Sequence, residues 1–399
     1  MARKKKSESK TTTSKKRPKI NLEKVASELS SKIGDDSSVV FDEDSLNQSI
    51  PHISTGCIAL DYLIGGRENE KGVKPCPGIP RGRFSLIYGL PGSGKTTIAL
   101  QTCATICNDG GTAIYIDWEN EVEPKYAQAL GVPITDRSKF ILYQPTTLEE
   151  GLTIMVKMAE QGVDLIIMDS IGAAVPREFF EKKEGDTPQI GLNARKWSNY
   201  LPKFKKVVKK YDTSVLAISQ LRDNIGAMGY GSKYTIQGGK AWKFFNSLQI
   251  MLKVVGSEKG KIWNPIQGKF TEQIVGNKVR AKLDKCKVSS AMKNEIEFYV
   301  MSGIGTDNKR TIVELGINTG VIKKRGAWFS WNGPNGEVKG QGLPNFLEMI
   351  EDHIDSIFTE VRPYLSDPSS VVDKEEKVDL LELDDDDDVN IDDLLEDLK

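Results

Sequence analysis

An α/β protein built around a central, largely parallel sheet is the fold class the sequence predicts, and three observations predict it. Short runs rich in β-branched and aromatic residues, at 84–88, 112–117, 165–169 and 214–220, alternate with longer stretches of helical periodicity at 95–108, 148–161 and 193–211. Such alternation places helices on the faces of a mostly parallel sheet. The first run leads straight into a glycine-rich segment that opens the first long helical stretch, and in sheets of this kind ligands bind at the carboxyl ends of the strands. The chain has 399 residues, 38% of them hydrophobic, which suffices for one large core with a smaller domain appended.

The elements follow in order. Residues 1–20 carry nine Lys/Arg against one Glu and read as a disordered basic tail. Leu22, Val25, Ala26, Leu29 and Ile33 then recur at helical spacing and give one apolar stripe, which Gly34-Asp35-Asp36 ends. A helix this short is marginal alone, so its stripe is expected to dock on this chain or on another copy. Residues 21–50 are read as this helix and a linker. Residues 51–318 are the α/β core, with further strands within 247–301 and a helix over 308–317. Residues 319–371 form a small α+β domain. Residues 372–399 form an acidic tail: from 373 onward it holds fourteen Asp/Glu against three Lys, and the chain between the two tails is nearly neutral. Any nucleic-acid site must therefore be a local patch. No internal repeat is present.

The five cysteines, Cys57, Cys76, Cys103, Cys107 and Cys286, form no CxxC pair, and neither His52 nor His353 has a ligand-like neighbour. Reduced, buried thiols are expected rather than a disulfide or a zinc site. No apolar run approaches the roughly 20 residues a membrane helix needs. The basic start lacks the apolar segment of a secretory signal. A cytoplasmic protein with no membrane segment is the reading.

Gly89-Leu90-Pro91-Gly92-Ser93-Gly94-Lys95-Thr96 matches GxxxxGK[ST], and Thr97 continues it into the helix. Glycines let the backbone wrap closely around phosphates with its N–H groups pointing inward, and the helix start adds positive potential. Lys95 would sit on the β and γ phosphates, and the Thr96 hydroxyl would ligate Mg²⁺. ATP and Mg²⁺ are the cofactors implied. The run Leu165-Ile-Ile-Met-Asp169 brings a carboxylate to a strand end, where it can order the magnesium shell. The run ending Asp117-Trp118-Glu119 offers Glu119 to polarise the attacking water. A helix cap or a solvated loop residue is the alternative for either acid, but the positions of Asp169 after the phosphate loop and of Glu119 at a strand end favour the functional reading.

Taken together these segments resemble the RecA recombinase family. The resemblance runs over about residues 50–345, through Ile53-Ser-Thr-Gly56, Ile116-Asp117-Trp-Glu119, Pro124-Lys-Tyr126, Met168-Asp-Ser-Ile171, Gly191-Leu-Asn-Ala-Arg195, Ile218-Ser-Gln-Leu-Arg222, Gly238-Gly239, Lys285-Cys-Lys287, Gly326-Ala-Trp328 and Gly340-Gln-Gly342. It implies a RecA-like P-loop ATPase core in which Glu119 is the catalytic glutamate and Glu123 and Tyr126 lie by the adenine. Gln220 would sense the γ-phosphate, and Lys285 and Lys287 would reach the ATP of a neighbouring subunit. It implies DNA-binding loops at about 177–190 and 221–238, with contacts from Ile190, Arg195, Ser198, Arg222, Met228, Tyr230, Gly238 and Gly239. The second loop is Gly-rich, with cations and aromatic residues suited to single strands.

The function so implied is a DNA-dependent ATPase. It would form ATP-dependent helical filaments on single-stranded DNA and exchange strands with a duplex, with ATP at the subunit interface. Single-strand-binding and mediator proteins are further candidate partners. A hexameric helicase-like motor and a non-catalytic mediator are the alternatives. The glycine-rich loop and the N-terminal helix favour the filament, and the joint presence of Lys95, Thr96, Glu119 and Asp169 argues against a non-catalytic role. Three departures stand out: Pro202, which should kink its helix, where the family has a basic residue; an apparent insertion at 69–78; and the basic N-terminal extension. The acidic tail is read equally as a competitor for the DNA site and as a solvating end. The basic tail is read as a phosphate contact or a targeting signal.

Overall fold

The computed structural model describes residues 21–33, 48–69, 71–181, 191–223, 234–239, 241–265, 267–290 and 294–366. The chain divides into two units, residues 1–48 and the remainder. In the first, the helix Leu22–Ile33 is capped by Asn21, whose Oδ1 accepts from Lys24 N at 3.1 Å, and its stripe residues Leu22, Val25 and Leu29 are exposed. The charged tails lie outside the described residues.

The second unit opens with β1 (His52–Ile53), which pairs with β2 (Ile79–Pro80). The central sheet comprises β3 (Phe84–Gly89), β4 (Ala113–Asp117), β5 (Phe140–Tyr143), β6 (Leu165–Asp169), β7 (Ser214–Asp223), β8 (Tyr234–Ile236), β9 (Leu248–Asn264), β10 (Lys269–Cys286), β11 (Glu295–Met301) and β12 (Gly305–Thr306). Their order is β12-β11-β10-β9-β3-β7-β6-β4-β5, with β8 added to the end of β7. From β9 to β5 every neighbouring pair is parallel, whereas β10, β11 and β12 extend the sheet antiparallel. All six residues of β3 are buried, as expected of a strand covered on both faces. The period of two sends Ile87 to a core with Ile98, Leu100 and Cys103 of the helix Lys95–Asn108, and Phe84, Leu86 and Tyr88 to the opposite core. In that second core Trp197 and Trp242 meet edge to face at 5.1 Å, and Trp197 meets Trp118 at 6.2 Å. This aromatic cluster fastens the helix Leu192–Lys210 to the sheet.

Several details differ from expectation. The helix Leu192–Lys210 runs unbroken through Pro202. Trp197, Leu201, Phe204 and Val208 bury one face of it, and that packing outweighs the lost backbone donor. The segment 221–238 is not loop throughout: Leu221 pairs with Ile236 and Arg222 with Thr235, so strands occupy both its ends. The segment 177–190 begins with a helical turn, Arg177–Phe180, which Pro176 precedes and Lys196 ties down through Glu178 and Glu149. The helix read as 308–317 extends over Asn308–Thr319, and its Ile312 and Val313 are buried in the cluster of the C-terminal region. There Phe329, Trp331, Phe346 and Val361 complete a core beneath β13 (Ile322–Arg325), β14 (Trp328–Gly333) and β15 (Gly336–Gln341). Tyr62 docks on it, donating to Arg362 O at 2.8 Å, while Lys74 sits 3.5 Å over the Tyr62 ring. Lys74 belongs to the 69–78 segment, which thereby braces this junction. All five cysteines are free and four are buried.

Candidate functional site

The phosphate loop joins β3 to the helix Lys95–Asn108. Gly92 and Gly94 hold φ of 73° and 85°, the left-handed region that lets successive backbone N–H groups turn toward one concavity. Lys95 Nζ donates to Leu90 O at 2.9 Å. Burial lowers the Lys95 pKa, opposed by the carboxylates of Asp169 and Glu119. Ser93 Oγ is buried with no partner. A buried cation and an orphaned hydroxyl in one loop fit an incoming phosphate.

Asp169 ends β6, in register with Asp117 at the end of β4. Its carboxylate accepts from Thr96 Oγ1 at 3.0 Å and from the buried Tyr115 hydroxyl at 2.5 Å. Burial pushes this carboxyl up to about 6. The donor set is therefore hard oxygen, one hydroxyl and one carboxylate. No group of three or more potential ligands is found among the described residues. That composition fits Mg²⁺, which is held through one or two carboxylates together with substrate phosphates and water.

Glu119 stands beyond β4 on a turn that Asp117 builds. The Asp117 carboxylate accepts from the backbone N–H groups of Glu119, Asn120 and Val122 at 3.1, 2.8 and 3.2 Å, and from Gln144 Nε2 at 3.2 Å. Asp117 is thus fully committed to shaping the turn. Glu119 itself accepts from Ser170 Oγ and, at 3.1 and 3.2 Å, from Gln220 Nε2. Sequence reasoning missed Tyr115, Asp117, Gln144 and Ser170 as partners. The stop of an apolar strand in an acid signals Asp117 only weakly, and nothing local signals the others.

Tyr126 meets Thr97, hydroxyl to hydroxyl, at 2.7 Å, at the side of a cavity of about 260 Å³ beside the phosphate loop. Its other wall is Gly276, Asn277, Val300 and Met301, from β10 and β11. Sequence reasoning missed this wall. Glu123 is exposed at the N-cap of the helix Pro124–Ala129.

Lys285 and Lys287 lie elsewhere. Lys285 is paired with Gln249, which is paired with Leu86 near the start of β3. Both lysines therefore occupy the end of the sheet opposite the chain's own phosphate loop. Lys285 Nζ donates to Lys243 O at 2.6 Å, and burial, Lys287 and Lys205 lower its pKa. Arg195 and Ser198 are exposed on the helix Leu192–Lys210, and Arg222 is exposed on β7. Gly238 and Gly239 follow β8 and approach Ile171 and Ala194 so closely that an added Cβ would lie 2.9 and 2.5 Å from their side chains. Ile190, Met228 and Tyr230 lie outside the described residues.

A phosphate loop between a buried strand and a helix, with an acid at a neighbouring strand end, defines a P-loop nucleoside triphosphatase. A model of the RecA N-terminal domain matches residues 20–307, and one of the RecA C-terminal domain matches residues 310–363. Protein RecA of Bordetella petrii is 36% identical over 329 residues, 82% of this chain and 84% of that protein. Protein RecA of Chlorobaculum tepidum is 36% identical over 322 residues, 80% and 82% of the two chains. Protein RecA of Lactobacillus delbrueckii subsp. bulgaricus is 36% identical over 338 residues, 84% of each. The chain belongs to the RecA family of DNA-dependent ATPases, which act in homologous recombination and strand exchange. ATP use, DNA binding and self-association come with that membership. Among the described residues no helix is long and apolar enough to cross a membrane.

Proposed function

We propose that ATP is hydrolysed at a site completed by two copies of this chain, and that Gln220 links its occupancy to DNA binding. The observation that carries the reading is the two-point contact of Gln220 with Glu119. Gln220 lies on β7, which leads three residues later into the 224–233 segment expected to hold DNA. Glu119 polarises the attacking water, and Lys95 and the loop N–H groups hold the phosphates. Thr96 and Asp169 would hold Mg²⁺, which supplies charge neutralisation at the phosphates when bound. Tyr126 and Thr97 flank the nucleoside. Withdrawal of the γ-phosphate changes what Glu119 faces, and Gln220 carries that change along β7.

Lys285 and Lys287 act on the ATP of the next copy. The distance within one chain supports this. From Leu86 to Gly89 alone the strand rises about 10 Å, and the loop lies further on. Cations supplied in trans stabilise phosphoryl-transfer charge only when copies stack head to tail, and a stack that does not close is a filament. Single-stranded DNA is the strand on which it assembles and duplex DNA its exchange partner. Arg195, Ser198 and Arg222 supply described contacts. Glu119→Gln tests the chemistry: it should bind ATP and DNA as the parent does, yet hydrolyse ATP at least about 100-fold more slowly. Normal turnover by that variant would remove Glu119 from the role.

A further inference from the structure

The outer part of the longest hairpin among the described residues, β9 with β10, contributes no residue to the nucleotide cavity or to the lysine pair. β9 pairs with β3 only over Leu248–Leu252, and β10 pairs with β11 only over Gly276–Lys282. Beyond those limits, from Lys259 to Asn264 and from Lys269 to Ile274, the two strands pair only with each other. β9 runs parallel to β3, so this arm leaves the sheet at the end that carries the phosphate loop. It stands roughly 25 Å beyond Gly276. A two-stranded hairpin is marginal alone in water, yet this one exposes its apolar residues. Trp263 and Phe270 are directly opposite each other, with ring centroids 5.4 Å apart, and Ile274 shares their face. These side chains are 52, 64 and 63% exposed. Trp263 and Phe270 pair as one exposed apolar patch, and Ile274 lies further along the same face beyond the opposed Lys261 and Glu272.

We propose that this arm is a second assembly contact and that its occupant is a neighbouring copy of the same chain. The inference rests on the head-to-tail stacking proposed above. Continuity is the first argument. Gly276 and Asn277, at the base of the arm, line the nucleotide cavity, so a copy that reaches that nucleotide with Lys285 lies alongside the arm. The far end of the sheet, which that copy presents, carries the 75% exposed Phe244 beside Lys285. Charge is the second argument. Lys259 pairs with Glu272 at 3.1 Å and Glu258 pairs with Arg310, leaving Lys261 and Lys269 as the arm's only unpaired charges among the described residues. A surface that tracks a nucleic-acid backbone is far more basic than this. The arm therefore packs Trp263, Phe270 and Ile274 against the rim of the next copy that holds Phe244.

A photo-cross-linking amino acid in place of Trp263, in the full-length chain, tests this. The protein is irradiated with single-stranded DNA and a slowly hydrolysed ATP analogue, and sedimentation is followed in parallel. The expected result is a nucleotide-dependent ladder of protein–protein cross-links mapping near Phe244. Cross-links to DNA, or none to a second copy although sedimentation shows assembly, overturn the arm and leave the stacking intact. If the parent chain does not assemble with nucleotide at all, the stacking and the arm fall together. As a second measurement, Trp263→Ser with Phe270→Ser should raise the protein concentration needed for assembly at least about tenfold, with an unchanged melting temperature. Assembly at the parent concentration contradicts the proposal.

Discussion

Replacing Gln220 with alanine removes both hydrogen bonds to Glu119, at 3.1 and 3.2 Å. A hydrogen bond to a charged group contributes about 1.5–3 kcal/mol. If that contact is what connects the phosphate site to β7, its loss should remove a similar free energy from the coupling between the two ligands. The tightening of DNA binding by ATP should then shrink by roughly 10- to 150-fold. Coupling of this kind is reciprocal, so the tightening of ATP binding by DNA should shrink by the same factor. Nucleotide affinity without DNA should stay close to that of the parent, because Lys95, Thr96 and the loop are untouched. The assay is fluorescence anisotropy of a labelled single strand, titrated with and without a slowly hydrolysed ATP analogue at one fixed salt concentration. A Gln220→Ala variant that keeps the full nucleotide effect on DNA affinity would refute the reasoning.

Two further predictions concern the scaffold. Asp61 accepts from Ser54 Oγ at 2.6 Å and from Thr55 Oγ1 at 2.7 Å, and burial nonetheless pushes its pKa from 3.8 up to about 6. The native state then binds its proton more tightly than the unfolded chain, so this group's contribution to stability falls as pH rises through that window. Between about pH 5 and pH 7.5 the loss is on the order of 1 kcal/mol. Urea unfolding of Asp61→Asn should show that much less pH dependence than the parent, and equal slopes would count against it. At Gly89 an added Cβ would lie 2.3 Å from Leu252 O and 2.7 Å from Ser93 Oγ. Gly89→Ala should therefore destabilise by about 1–3 kcal/mol and weaken ATP binding as β3 and β9 part. Parent-like melting and nucleotide affinity together would contradict this.

What the sequence revealed and what it concealed have physical causes. The phosphate loop is legible because backbone wrapping around phosphate demands glycines and a lysine at fixed spacing. The parallel strands are legible because a strand buried on both faces must be apolar throughout. Glu119 and Asp169 were legible as strand-end acids, but their environment was not. The Tyr115, Ser170 and Gln220 contacts join residues on or just beyond three different strands, β4, β6 and β7, separated by up to 101 positions. The wall at Gly276, Asn277, Val300 and Met301 has no local signal either, since it exists only because β10 and β11 fold back beside the helix Lys95–Asn108. Pro202 misled because local propensity counts one lost hydrogen bond and not the buried face of a nineteen-residue helix. The loop at 221–238 read as structureless because glycines mask the short pairing of Leu221 and Arg222 with Ile236 and Thr235.

The claim that the site is shared between copies is tested most directly by mixing two inactive variants, Glu119→Gln and Lys285→Ala/Lys287→Ala. In a stack assembled at random from equal amounts, about a quarter of the interfaces would join an intact Glu119 to a neighbour's intact lysines. ATP hydrolysis with single-stranded DNA should therefore recover to about a quarter of the parent rate on mixing, while each variant alone stays inactive. No recovery from a mixture that still co-assembles would contradict a site completed in trans.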